Sequence, residues 1–482
     1  MALLTACNLN LVPVTVPVPV TSDPGVGRRA LLHGWGRAAP SAANLIEVTT
    51  VDLARAVKDL PARGGIARGL GRSYGDPAQN SGGHVLRLAP THDDLVVDQQ
   101  ACIVTVGAGV SINDLLAIII PRGYFVPVTP GTRFVTIGGA IASDIHGKNH
   151  HRDGSFGNHV TGLRLMLADT TVVDIGPSID PELFWATVGG MGLTGIIIDA
   201  TFRLIPISTN RITVETSRID NLDELMARMS ESDANFRYSV AWLDLLATGR
   251  HLGRGVLSNG DHSTRPELGR RDSADPLGFN GKQIASIPPV IPSHGVINRL
   301  SVTVFNEVWY RKAPRYREGE LQTISAYFHP LDLVGEWNRV YGRQGFLQYQ
   351  LMVPFGAEGS LRTVIERISA ASLPIFLSVL KRFGAANPAP LSFPQGGWTL
   401  AIDVPTRSSG LSELLRGLDA LVLDAGGRHY LAKDFHTTPE SIRRGYPRLG
   451  EWLAVRRRVD PTGVWASDLS RRLELTPRRP RN

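Results

Sequence analysis

The sequence predicts an α+β fold, on three observations. Its strand-like runs are short and joined by polar turns. Helical segments fall between them without the regular strand–helix–strand rhythm of a parallel sheet. Glycine is abundant, at 50 of 482 residues, and concentrates in loops. Apolar residues at 43% and charged residues at 20% describe a globular chain long enough for two or three domains.

The elements follow in order. Residues 1–30 read as a flexible extension. Ile46 and Val48 suggest a strand, and Asp52–Leu60 a helix with Asp52 in its first turn. Ile103–Val106 alternates as a strand. Ser111-Ile-Asn-Asp then opens a helix through Leu115 and Ile119, which Pro121 and Gly123 end. Leu163–Leu167, Val172–Ile175 and Gly195–Leu204 read as strands, and Asn221 caps a helix to Met229. Residues 258–300, rich in Gly, Pro, Ser and charge, read as a lid or binding loop. Beyond them come a strand at Phe346–Val353, a helix at Gly359–Ala371 and strands at Ile375–Leu380 and Thr399–Val404. A helix at Ser412–Ala425 is ended by Gly426-Gly427.

Four glycine-bearing loops and one polar turn carry the functional signal: Ala67-Arg-Gly-Leu-Gly-Arg-Ser-Tyr-Gly-Asp76, Pro130-Gly-Thr132, Thr136-Ile-Gly-Gly139 and Val188-Gly-Gly-Met-Gly-Leu-Thr-Gly195, with Ser143-Asp-Ile-His146 among them. Glycine lets a backbone approach a diphosphate closely, with its amides turned to the oxygens. So many loops in succession imply a large phosphate-bearing cofactor, and hence a redox enzyme. Gly190–Gly195 matches GxGxxG, but a helix pattern precedes it and β-branched Ile196-Ile-Ile198 follows. That inverts the nicotinamide-binding context, so the segment reads as a turn packed near the cofactor.

His146-Gly-Lys-Asn-His-His151 concentrates three imidazoles between Asp144 and Asp153, yet no sulfur ligand stands close by and adjacent His150 and His151 need not point to one centre. A flavin or substrate pocket is the expectation, and no metal is predicted. The proline-stiffened stretch Asn387–Pro394, followed by Gly396-Gly-Trp398, reads equally as a plain loop or a pocket wall. Gly426–Asp434 brings Tyr430 and Lys433 near a turn; were it a strand, Lys433 and Leu431 would share one face and Tyr430 the other. A buried Lys there could stabilise a reduced cofactor ring.

Net charge is +7, part of it in a tail where Arg471, Arg472, Arg478, Arg479 and Arg481 face only Glu474. A basic surface attracts anionic lipid, phosphorylated substrates or nucleic acid. No zinc finger, RNA-recognition motif or basic zipper is present in the sequence, so nucleic acid is not an expected partner. Two cysteines, Cys7 and Cys102, do not decide the redox compartment. Leu11–Val20 is broken by prolines and is neither a signal-peptide core nor a spanning helix, so the chain is expected in the cytoplasm unless another export route exists.

Taken together, these motifs resemble the decaprenylphosphoryl-ribose 2′-oxidase family, the flavin subunits of an epimerase that makes the arabinose donor of actinobacterial cell walls. The likeness runs from Gly34-Trp-Gly-Arg37 to Arg471–Leu475. Its most specific parts are Ala67–Asp76, Asp144–His151, Glu182–Gly190, His329–Asp332 with Gly335–Arg339, Gly345–Gln350 and Ala389–Pro394. The resemblance implies a two-domain vanillyl-alcohol-oxidase-type flavoprotein. An FAD domain would comprise residues 31–209 and 428–482, and a substrate domain with an antiparallel sheet residues 210–427. FAD would be lined by Ala67, Arg68, Gly69, Leu70, Gly71, Arg72, Ser73, Tyr74, Gly75, Asp76, Pro77, Gly131, Thr136, Ile137, Gly138, Gly139, Ser143, Asp144, Ile145, His146, Ile197 and Tyr430. Substrate would meet Tyr74, Trp242, Phe328, Gln348, Gln350, Lys381, Thr399, Ala401 and Lys433, with residues 260–300 and Phe328–Gly345 over the entrance. Lys433 is the first candidate for catalysis and His146 the second.

Many proteins of the superfamily attach FAD to a histidine at the position of Arg72, so FAD is expected to be noncovalent here. Ala401 and Thr399 stand where mycobacterial members carry a cysteine and an asparagine. The implied reaction oxidises the ribose C2′ hydroxyl of a polyprenylphosphoryl ribose, with an NADH-dependent keto-reductase as partner, peripheral membrane contact and a periplasmic or envelope location. The alternatives are a flavin oxidase of soluble alditols or sugar lactones, and a redox-inactive scaffold.

Overall fold

The computed structural model describes residues 27–91, 95–270 and 272–476. Cys7, Arg478, Arg479 and Arg481 lie outside them. Three sheets position the site. A four-stranded sheet runs Arg28–Leu32, Ser41–Val48, His84–Leu88, Gly65–Ala67; its first pair is antiparallel and the others parallel. Residues 28–30, assigned above to the N-terminal extension, pair with Ala43–Leu45 in this sheet. A five-stranded antiparallel sheet runs Val96–Asp98, Ile103–Gly107, Ile196–Arg203, Val160–Met166, Val172–Ile175. The helix Ile112–Ile119 starts at Ser111, whose side chain accepts from the Asp114 amide.

The third sheet has eight antiparallel strands in the order Tyr316–Thr323, Arg211–Ile219, Gly255–His262, Tyr238–Leu243, Ser378–Phe383, Gly397–Pro405, Phe346–Pro354, Arg428–His429. Side chains alternate across it. Leu347, Tyr349, Leu351, Leu400, Ile402, Val404, Ala241 and Leu243 join one core. Against that face lie three helices, Leu222–Ser232, Glu358–Ala370 and Leu411–Asp424. Each buries an i, i+3/i+4 stripe, such as Leu361, Val364, Ile365 and Ile368. The opposite face looks into the cavity described below.

Three local expectations shift. Gly255–His262 is a central strand, so the open stretch starts later than residue 258. The strand expected at Ile375–Leu380 occupies Ser378–Phe383, because Phe376 and Leu377 give their carbonyls to Trp242 Nε1 and the Asp403 amide. The Gly426–Asp434 strand stops at His429; a turn follows, with the Lys433 amide donating to the Tyr430 carbonyl. That turn sends Tyr430 and Lys433 to the same cavity and Leu431 into a core. One 14-residue helix, Arg299–Lys312, was not expected at all.

Candidate active site

A cavity of about 980 Å³ lies between the glycine loops and the free face of the eight-stranded sheet. That is at the upper end of ligand pockets and suits an elongated ligand plus a second molecule. Its loop side takes 67–74, 77, Gly131, Thr136, Gly138, Gly139, Ser143, Ile145, His146, Ile197 and Tyr430. Its sheet side takes Trp242, Gln348, Gln350, Lys381, Ala401 and Lys433, with Phe328 at one wall.

Five expected contacts do not line it. Gly75 lies behind, so close to the Asp434 carbonyl that a Cβ would sit 1.7 Å from it. Asp76 is paired with Arg472 at 2.8 Å. Ile137 is in the core. Asp144 is fully buried and accepts from the Gly157 amide, Ser155, Asn387 and Ser392, tying the histidine loop to the proline loop. Burial pushes its carboxyl up and these four donors pull it back down. Thr399 gives its hydroxyl proton to the Leu351 carbonyl. The proline loop therefore backs the wall: Phe393 stacks on Tyr430 at 4.9 Å instead of facing the cavity. Residues 259–300 do not line the cavity either. They pack outside the Phe328–Gly345 segment, through Ala285–Ser286 on Val334–Gly335.

The loop side fits a diphosphate by its backbone. The amides of Gly69, Leu70, Gly71, Arg72 and Ser73 have no acceptor among the described residues, although the flanking Arg68 and Tyr74 amides donate to Leu86 and Ala432. Five successive amides without an internal acceptor, on residues that line the cavity, are a donor set suited to an anion. Gly69 admits the approach of Thr136, whose Oγ1 would lie 2.3 Å from a Cβ; Gly131 faces open space. Met191, Gly192 and Gly195 of the GxGxxG turn also line the cavity, as does Ile196, which opens the strand Ile196–Arg203 that follows. Arg72 stacks on Trp35 at 3.8 Å, and its buried Nε has no protein partner.

The sheet side is built by register. Gln350 pairs with Ala401, Ala401 with Val379 and Val379 with Trp242, one row across four strands. The next rows hold Gln348 opposite Asp403, and Lys381 opposite Thr399. Asp403, which sequence reasoning missed, is fully buried and accepts from Gln348 Nε2 at 2.6 Å. The two-residue period onward from Thr399 and Ala401 was the signal for it. Lys433 Nζ sits 3.9 Å from the Tyr74 ring centroid. Burial pushes Lys433 well below the usual lysine range and Asp403 above the usual carboxylate range, while each charge pulls the other back.

Burial lowers Lys381 to about 8, and burial with the Lys381 charge lowers Lys148, also missed, to about 7. Lys148 Nζ donates a hydrogen bond to the Tyr327 carbonyl and lies 4.0 Å from its ring centroid.

The three imidazoles diverge. His146 Nε2 meets Gln350 Nε2 at 2.9 Å, His150 Nδ1 accepts from the Gly384 amide, and His151 Nε2 meets the Phe236 carbonyl. Among the described residues no cluster of His, Cys, Asp or Glu is arranged to hold a metal ion. Burial first, then Lys381, His150 and Lys433, hold His146 neutral. With Gln350 donating to Nε2, its proton lies on Nδ1, a buried atom without a protein partner.

The C-terminal turn is stitched to the glycine loops. Tyr430 donates to the Ser143 carbonyl, and Arg472 bridges Asp76 and Asp434 at 2.8 and 3.0 Å. Arg471 bonds Asn80 and Asp468. These two tail arginines are thus internal braces and add little to the basic surface.

Comparison with known proteins agrees with this geometry. Residues 45–176 match the FAD binding domain family and residues 356–473 the D-arabinono-1,4-lactone oxidase family. The chain is 45% identical over 92% of its length to decaprenylphosphoryl-β-D-ribose oxidase of Mycolicibacterium smegmatis, covering 97% of that protein. It is 38% identical over 76% of its length to an uncharacterised protein of Streptomyces coelicolor encoded in the mprA 5′ region, all of which it covers. An L-gulono-1,4-lactone dehydrogenase of Mycobacterium tuberculosis is 24% identical over 90% of the chain and 96% of its own. This chain is an FAD-dependent oxidoreductase of the decaprenylphosphoryl-β-D-ribose oxidase family.

Proposed function

We propose that the protein oxidises the C2′ hydroxyl of a polyprenylphosphoryl ribose to the ketone, the first half of an epimerisation to the arabinose donor for cell-wall arabinan. The observation that carries this reading is the cavity itself. Its backbone half offers five successive amides to a diphosphate, and its sheet half gathers Lys433, Gln348, Gln350 and Lys381 where a sugar would lie. Bound FAD would accept the C2′ hydride, and the hydroxyl proton would pass to a base or to water in the cavity. The residues 67–74, Gly131, Gly138, Gly139 and Ser143 would hold it noncovalently, with Arg72 at the position of covalent attachment elsewhere.

Lys433 would hold the C2′ hydroxyl and supply positive charge for the reduced flavin; Asp403 would sustain that charge. Gln348 and Gln350 orient the sugar hydroxyls. Neutral His146 donates from Nδ1, a binding role in preference to that of general base. Lys381 and Lys148 provide cationic capacity for the phosphodiester. The domain division is read as FAD-binding for 31–209 and 428–482 around a substrate domain at 210–427. An NADH-dependent keto-reductase acting on the product, a place in the cell envelope and contact with a membrane complete the proposal. No described helix is long and apolar enough to cross a bilayer, and the membrane contact proposed here is a peripheral one.

Anaerobic mixing of the purified holoenzyme with farnesylphosphoryl ribose, followed by flavin absorbance and product mass, tests this reading. Bleaching with loss of two hydrogens from the sugar is expected. Bleaching by L-gulono-1,4-lactone or a soluble alditol, and none by the prenylphosphoryl sugar, would replace it with the polyol-oxidase reading.

A further inference from the structure

The helix Arg299–Lys312 is built inside out. It buries only Val302, Asn306 and Tyr310, one residue per turn. Its larger apolar side chains face solvent: Leu300 is 75% exposed, Val304 56%, Val308 59%, Trp309 47% and Phe305 40%. At 100° per residue these five cover about half the helix circumference. Ser301 shares this arc at its start and Arg311 and Lys312 at its C-terminal end, and an exposed apolar face of that kind marks an interaction surface.

Its position narrows the partner. Phe305, Trp309, Lys312, Ala313 and Pro314 line the cavity as well, so this face is part of the cavity rim. Phe305 stacks on Trp309 at 5.9 Å and meets Phe376 edge-on at 5.5 Å, which fixes both rings there. Between residues 299 and 317 stand Arg299, Arg311, Lys312, Arg315 and Arg317 against the single acid Glu307, with Glu318 and Glu320 following. Arg311 pairs with Glu307 and Arg317 with Glu320 at its edge. An apolar helical face with aromatic residues and a basic margin is the composition of an interfacial helix lying in the headgroup region of a bilayer.

We propose that this face seats the protein on an anionic lipid bilayer, with the cavity rim at the membrane surface. The inference rests on the proposed lipid-linked substrate only for its purpose. A prenyl chain could then pass from the bilayer along Phe305 and Trp309 without crossing water.

The test is flotation of the full-length holoenzyme with phosphatidylcholine vesicles with and without phosphatidylglycerol. The wild type is expected to float with the anionic vesicles and less at high salt. The double variant Val304→Glu/Val308→Glu should lose at least tenfold in partition, and Leu300→Lys should lose part of it. All three proteins should keep the same flavin content, Tm and rate on water-soluble farnesylphosphoryl ribose. Absence of wild-type flotation overturns the proposal. So does flotation that survives the double substitution, whether carried by residues 1–26 or another surface. A wild-type dimer in solution that the double variant splits would assign the face to a second copy instead. Failure of the vesicle experiment leaves the farnesylphosphoryl ribose result readable, so the two readings fail separately.

Discussion

The two walls of the cavity are made of different material. The loop wall is mostly backbone: amides 69–73 and glycines placed where a Cβ would collide. The sheet wall is mostly side chain: Gln348, Gln350, Lys381, Ala401 and Lys433, brought together by strand register and one turn and backed by buried Asp403. A backbone wall can bind a cofactor common to many enzymes, while a side-chain wall can select a substrate and tune a proton. The two are joined where Gly75 meets the Asp434 carbonyl, which lets the Lys433 turn sit against the loop.

Substitutions should separate the walls. The largest effect is expected from Gly69→Val, whose side chain would drive into Thr136. The protein should purify without flavin colour, measured as the ratio of visible to ultraviolet absorbance. Full flavin content in this variant would break the comparison. Next is Asp144→Ala, which strips the acceptor from four buried donors; a loss of about 3–5 kcal/mol in unfolding free energy is expected from denaturant titration.

Asp403→Asn acts on the sheet wall alone. Flavin content should hold, and loss of the carboxylate removes what keeps Lys433 protonated, so its pKa falls further. The alkaline limb of the pH–rate profile should then move to lower pH, with about a tenfold loss of kcat above neutrality. An unmoved limb would detach Asp403 from Lys433.

The smallest effect concerns the Asp419, His429 and His436 cluster, none of whose members lines the cavity. Burial pushes the Asp419 carboxyl up, but hydrogen bonds and charge from His429 and His436 outweigh it and hold it below the carboxylate range. Burial lowers His436, but Asp419 outweighs that and raises it. The Asp419 contribution is present above the ordinary carboxylate pKa and fades as pH falls through the depressed one. That of His436 is full below the ordinary imidazole pKa and fades as pH rises through the raised one. Asp419→Asn should therefore cost most near about pH 5–6, by about 1–3 kcal/mol, read from unfolding across pH with flavin turnover unchanged.

How far the sequence could be read follows the same division. The loop wall was legible because glycine runs state a backbone requirement directly, as at 67–76 and 136–139. Family likeness supplied the sheet wall, which local pattern does not reveal: Gln350, Ala401, Val379 and Trp242 meet only through antiparallel register. Asp403 and Lys148 were missed, since an acid on a strand and a lysine in a histidine run read as ordinary polar residues. Gly75, Asp76, Ile137, Asp144 and Thr399 sit in motifs beside the cavity but turn away from it. The helix Arg299–Lys312 escaped notice because its apolar residues face out, so its pattern names no core.

The most direct measurement is stopped-flow reduction of the flavin by farnesylphosphoryl ribose without oxygen, in the wild type and in Lys433→Ala. Lys433→Ala should be as yellow as the wild type and bleach at least about 100-fold more slowly. Bleaching at the wild-type rate, or a colourless variant, would show that Lys433 does not act from the sheet wall as described.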